Sequence, residues 1–132
     1  MDQSYVKIVN EWDIVAARQL GRNVAKEQGF GTVDQARITT AISELARNIY
    51  LYANQGIISI DKVQKQGKKG IVIKAEDEGP GILDIRQVME DGYTTSGGLG
   101  AGLPGVKRLM DSFDIDSAPG KGTTIKTTKW LR

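Results

Sequence analysis

An α+β fold is what this 132-residue sequence predicts, on three observations. Two long stretches with apolar residues at helical spacing come early, and β-rich runs crowd the second half. The strand–helix alternation expected of a doubly wound parallel sheet is missing, which favours a two-layer sandwich. In chain order, "SYVKIV" (4–9) alternates and reads as a strand. From Asn10, a candidate N-cap, "EWDIVAARQLGRNVAKEQG" sets Ile14, Ala17, Leu20 and Val24 on one helical face until Gly29 stops it. Thr32 is read as the cap of a second helix, "VDQARITTAISELARNIYLYAN", which carries Ile38, Ala41, Ile42, Leu45, Ile49 and Tyr52 on one face. "GIISIDKV" and "GIVIKAED" read as an antiparallel hairpin around "QKQGKKG", with two lysines at its tip. "ILDIRQVMED" (82–91) suits a short helix. Pro104 suits the first turn of a third helix, "PGVKRLMDSF", where its missing N–H would have no partner anyway. "FDIDSAPGKGTTIKTTKWL" reads as strand, turn, strand. No linker or repeat divides the chain, so residues 1–132 are expected to form one domain.

Composition narrows the chemistry. A hydrophobic share of 39% and a charged share of 26% describe a globular chain. The formal charge of +2 is too small to argue for a nucleic-acid or membrane surface. Cysteine is absent, which removes disulfides and thiolate metal sites and suits a reducing cytoplasm. Histidine is absent too, so carboxylates are left as the general bases. "MDQSYVKIVNEWD" lacks the basic start and apolar run of a signal peptide. The longest apolar run, "IYLYA" (49–53), is far short of a membrane span. The expectation is a cytoplasmic protein.

The stretch "TTSGGLGAGLPGVKRLM" (94–110) invites several readings. "GAGLPG" fits a dinucleotide fingerprint, but no buried strand precedes it. "GAGLPGVK" nearly fits a phosphate loop, except that Val106 separates Gly105 from Lys107. "IVIK" (71–74) resembles a strand of eukaryotic-type protein kinases, but it precedes the glycines instead of following them, and the catalytic-loop histidine is missing. A plain flexible loop is the bland alternative. Against it, the segment feeds a helix N-terminus, where free amides and the helix dipole favour phosphate. A glycine lid of this kind is expected to be the chain's most mobile segment without nucleotide.

Two further segments have complementary chemistry. In "SELARN" (43–48), Glu44 and Asn48 lie about 40° apart on one helix face, at the edge of the apolar stripe. An acid beside an amide there suits a base next to a magnesium ligand, since Mg²⁺ takes few protein oxygens and completes its shell with phosphate and water. An ordinary helix surface with local contacts is the alternative. In "AEDEGPGI" (75–82), Asp77 stands where a strand gives way to a turn. Its carboxylate could accept from an exocyclic amine such as adenine N6, and a plain turn is again the alternative.

Each segment is weak alone, but their order is specific. Glu-x-x-x-Asn on a helix, strand-Asp-x-Gly-x-Gly, a glycine lid before a helix, and "GKGTT" before a strand together resemble the N and G boxes of the GHKL ATPase/kinase superfamily. Within it, "EWDIVAARQLGRNVAKE", "QARITTAISELARNIY", "TSGGLGAGLPGVKRLMD" and "TKWLR" resemble the serine-protein kinases of the bacterial stressosome. The resemblance implies a Bergerat-type two-layer sandwich with a mixed, mostly antiparallel sheet and helices on one face. It implies that Asp77 binds the adenine amine with Thr123 helping through water, and that Gly79, Gly81 and Ile82 line the base pocket. By the same resemblance Asn48 holds Mg²⁺ against ATP, and Glu44 orients or deprotonates the acceptor hydroxyl. Gly98, Gly100, Gly102 and Leu103 would offer lid backbone to the phosphates. Arg47, Lys107 and Arg108 are basic groups that phosphate or solvent could hold, with Lys107 read as surface, and Leu51 could be a partner contact.

The activity so implied is ATP-dependent protein-serine/threonine phosphorylation of a STAS-domain antagonist among the stressosome scaffold proteins. The released kinase would then bind and activate a PP2C-type phosphatase, with no nucleic acid or membrane involved. An anti-sigma factor kinase of the same superfamily and a nucleotide-gated binding module are the alternatives.

Overall fold

The computed structural model describes residues 4–81, 89 and 102–132. The elements run β1 (Ser4–Ile8), α1 (Glu11–Gln28), α2 (Thr32–Tyr52), β2 (Gly56–Lys65), β3 (Lys68–Asp77), α3 (Gly102–Leu109), β4 (Ser112–Ser117) and β5 (Thr123–Trp130). The strands form one sheet in the order β1-β2-β3-β5-β4. Every pairing is antiparallel, so the described sheet carries none of the mixed character expected of it. The short helix read over 82–91 and the glycine lid before Gly102, with Ile82, Gly98 and Gly100, lie outside the described residues.

Packing explains why α2 is a helix at all. Its β-branched residues carry a propensity cost of at most ~0.7 kcal/mol each, whereas burying an isoleucine gains roughly 1.5–3 kcal/mol. Ile38, Ile42, Leu45 and Ile49 are all buried to 2% exposure or less, so burial wins. They meet Ile58 and Ile60 of β2, Ile71, Ile73 and Ala75 of β3, and Ile125 of β5 in one core. Gly21 brings α1 close, because a Cβ there would run into the Ile42 side chain. Tyr52, expected on the core face, is 48% exposed instead. The reason lies below it: Ile49 already packs at Gly56, where β2 begins, and one turn further there is no sheet to cover.

Several boundaries differ from the sequence reading. Asn10 is the N-cap of α1, and the Asp13 carboxylate reaches back to the amides of Val9 and Asn10 at 2.8 and 3.0 Å. Those bonds, Asn10 first, hold its carboxyl below the ordinary aspartate value. Gly29 ends α1 as expected, its amide returning to Ala25 and Lys26. The cap of α2 is Gly31, with extended backbone, and Thr32 is the first helical residue. In the hairpin only Gln66 and Gly67 turn, and both have positive φ. Lys68 and Lys69 are therefore the first residues of β3, paired with Lys65 and Gln64, and do not sit at the tip. Helix α3 stops at Leu109, and Ser112 and Phe113 join β4 opposite Thr128 and Thr127. The Asp111 amide donates to Thr128 at 2.8 Å, and Lys129 Nζ donates to the Leu109 carbonyl at 2.8 Å, so the sheet captures the chain one turn early.

Candidate active site

A cross-strand row builds one side of the site. Asp77, the last residue of β3, pairs with Gly56 on one side and Thr123 on the other, and Thr123 pairs with Ser117 of β4. Asp77 keeps the parity of Ile73 and Ala75, so its carboxylate belongs to the helix-facing side of the sheet. Gly56 leaves room beside it, since a Cβ there would lie 2.9 Å from Ile49 and 3.0 Å from the Asp77 Cβ. The Gly79 amide donates to Asp77 Oδ1 at 2.9 Å, which fixes the carboxylate and leaves Oδ2 for another donor.

The polarity of the row follows from its hydroxyls. Ser117 Oγ donates to the Gly122 carbonyl at 2.9 Å and lies 2.8 Å from Thr123 Oγ1. With the Ser117 proton engaged, the Thr123 hydroxyl is the donor of that second bond and keeps its lone pairs. Thr123 and Asp77 thus present acceptors side by side, a match for an amine with two N–H groups.

Two loops hold this row by close backbone contact. The Gly120 amide donates to the Pro80 carbonyl at 2.7 Å, joining the 78–81 turn to the 118–122 turn. Gly81 (φ +79°) and Gly122 (φ +75°) take left-handed backbone at the junction. A Cβ on Gly81 would strike the Ala118 carbonyl, and one on Gly122 would strike the carbonyl of Asp77 itself. Gly79 lies against the end of α2, where a Cβ would be 2.7 Å from that of Ala53.

Helix α2 supplies the other side. Glu44 is buried to 7% exposure although it lies at the margin of the apolar stripe, and Asn48 follows one turn later. Ile49, next to Asn48, packs at Gly56, the residue paired with Asp77. Asn48 therefore lies on the last turns of α2, next to the residue that packs where β2 begins opposite Asp77. Gly102 and Leu103 open α3 and are both buried, Leu103 within the core, while Lys107 and Arg108 are exposed. Among the described residues no cluster of three acidic side chains could hold a metal ion. Asn48 offers one hard oxygen, which fits a cation completed by phosphate and water. A groove of about 430 Å³ lined by Thr32, Val33, Ala36, Arg37, Thr40 and Leu109 lies on the first half of α2 and contains none of these groups. No helix among the described residues is long and apolar enough to cross a membrane.

Sequence reasoning missed Ser117, which sits six residues before Thr123 and becomes its neighbour only through strand register. It also left Arg47 undecided, whose Nε is buried without a hydrogen-bond partner.

Known proteins resemble this chain in sequence and in fold. Residues 33–132 match the family described as histidine kinase-, DNA gyrase B-, and HSP90-like ATPase. The chain is 75% identical over 131 residues to the serine/threonine-protein kinase RsbT of Bacillus subtilis (strain 168), covering 99% of this chain and 98% of that protein. It is 40% identical over 102 residues to the anti-sigma F factor of Thermoanaerobacter sp. (strain X514), covering 73% and 70% of the two chains. In fold it is similar to the crystal structure of the RsbU and RsbW domains of Rv1364c from Mycobacterium tuberculosis, at 17% identity and a TM-score of 0.69. That likeness covers 100% of this chain and 34% of the other.

Proposed function

The chain belongs to the histidine kinase-, DNA gyrase B-, and HSP90-like ATPase family and is a serine/threonine-protein kinase, and on that premise we propose that its acceptor is a STAS-domain antagonist of the stressosome. Once it has phosphorylated that antagonist and been released, the kinase binds and activates a PP2C-type phosphatase. The whole of residues 1–132 serves as one ATP-binding kinase domain in the cytoplasm, and a cysteine-free chain suits that compartment. The observation that supports the reading is the Asp77–Thr123 cross-strand pair in a chain whose helix α2 carries a buried Glu44, with Asn48 one turn on.

The residues divide the work. Asp77 accepts from the adenine amine, and Thr123 accepts through a water beside it. Gly79 and Gly81 line the base pocket, as does Ile82 by its position in the motif. Asn48 would provide the oxygen that holds Mg²⁺, which would supply neutralisation of the phosphate charge. Gly102 and Leu103 present backbone at the start of α3, continuing a lid that includes Gly98 and Gly100. Glu44 orients the acceptor hydroxyl and takes up its proton. As the serine or threonine oxygen bonds to the terminal phosphorus, the bridging P–O bond breaks and ADP leaves. Positioning and charge neutralisation dominate such a loose transition state, so a carboxylate suffices without a strong base.

The test is transfer of radiolabelled phosphate from ATP to a panel of STAS-domain proteins. A labelled serine or threonine on one of them is the expected result, and no phosphoprotein would leave a nucleotide-gated binding module. Identity to an anti-sigma F factor favours a second reading, an anti-sigma factor kinase, which capture of a sigma factor in the same assay would support.

A further inference from the structure

Arg47 is the one candidate basic group that the fold does not account for. At ~100° per residue it projects about 160° away from Leu45, on the side of α2 opposite the core. A side chain placed so would normally extend into water. Its Nε is nevertheless buried and has no hydrogen-bond partner. Arg37 and Arg132 behave differently: they pair with Asp34 at 2.9 Å and with Asp111 at 2.6 Å. No such carboxylate pairs with Arg47 among the described residues. Leaving a donor of a charged group buried and unpaired is costly, and the cost is removed when an anion arrives.

Position says which anion. On the helical wheel Arg47 lies about 60° to one side of Glu44, and Asn48 lies about 40° to the other. If Asn48 faces the metal side of the triphosphate, Arg47 faces the side from which the acceptor enters. Resting on the kinase reading above, we infer that the Arg47 guanidinium binds the terminal phosphate of ATP, opposite Asn48. Its planar fork can hold two phosphate oxygens at once and remain in place as charge shifts toward the leaving oxygen. Contact with only the third phosphate makes Arg47 a selector of ATP over ADP.

The inference predicts a difference between two ligands, measured by titration calorimetry on the full chain with Mg²⁺. Arg47→Gln should weaken binding of the non-hydrolysable β,γ-imido analogue of ATP by roughly ten- to hundredfold and leave ADP affinity unchanged. Arg47→Lys keeps the charge and much of the volume, and should lose part of the ATP preference while unfolding at the wild-type temperature. Equal weakening of both ligands, or an unchanged preference in the lysine variant, would overturn the inference. So would unaltered nucleotide binding with lost affinity for the protein acceptor, because Arg47 would then contact the partner. A wild-type chain that binds neither nucleotide would overturn the kinase reading itself, which separates the two failures.

Discussion

Thr123 stands directly opposite Asp77 across the β3–β5 ladder, and its hydroxyl lies 2.8 Å from that of Ser117. The arrangement turns one carboxylate into an acceptor surface, because Ser117 directs the Thr123 proton away from the pocket. Asp77→Asn should therefore put an N–H donor where an amine must bind. We expect nucleotide affinity to fall at least roughly tenfold by calorimetry. The unfolding temperature should hardly change, since the asparagine oxygen can still take the Gly79 amide. Undiminished affinity would remove Asp77 from base recognition.

Glu44 is expected to act on transfer and not on binding. Glu44→Ala should retain the affinity for ATP while single-turnover phosphorylation of the acceptor slows by about 10²–10⁴-fold, the range for a lost general base. Equal rates in the variant and the parent would exclude it from the reaction.

Gly122 couples backbone shape to the pocket. Gly122→Ala places a methyl against the Asp77 carbonyl in left-handed backbone, and both effects oppose the fold. A loss of about 1–3 kcal/mol is expected in denaturant unfolding, with weakened nucleotide binding in the molecules that remain folded. Gly120 has a similar φ of +79° with nothing near its Cβ position, so alanine there should cost less and spare binding.

The start of α1 should respond to acid through Asp13. Its carboxyl is held below the ordinary value by the amides of Asn10 and Val9, so its contribution is present above the unfolded pKa and is lost as pH falls through the folded one. Asp13→Asn should lower the unfolding temperature at neutral pH, and the gap should close as the pH drops below the usual carboxylate range near ~3.9. A gap independent of pH would contradict this role.

Local chemistry is what the sequence makes legible. The apolar spacing of Ile38, Ile42, Leu45 and Ile49 predicts α2 and its buried face, and the order of Glu44, Asn48, Asp77 and the glycines predicts a nucleotide site. Features decided by distant strands are not legible. The Ser117–Thr123 contact depends on β4–β5 register, and the exposure of Tyr52 depends on where β2 begins. The early end of α3 depends on β5, whose Thr128 carbonyl and Lys129 side chain capture Leu109 and Asp111 from about twenty residues away. The buried Nε of Arg47 is equally invisible, because helical spacing alone assigns that position to solvent.

The place of β5 in the sheet also bears on how the enzyme is made. β1 to β3 and both long helices are synthesised first, yet β3 needs β5 as its second neighbour. On the ribosome, a chain not yet extended past Thr123 has Asp77 without its partner row and β3 as a bare edge, open to pairing with other nascent chains. The nucleotide-binding row proposed around Asp77 therefore exists only once β5 has joined the sheet.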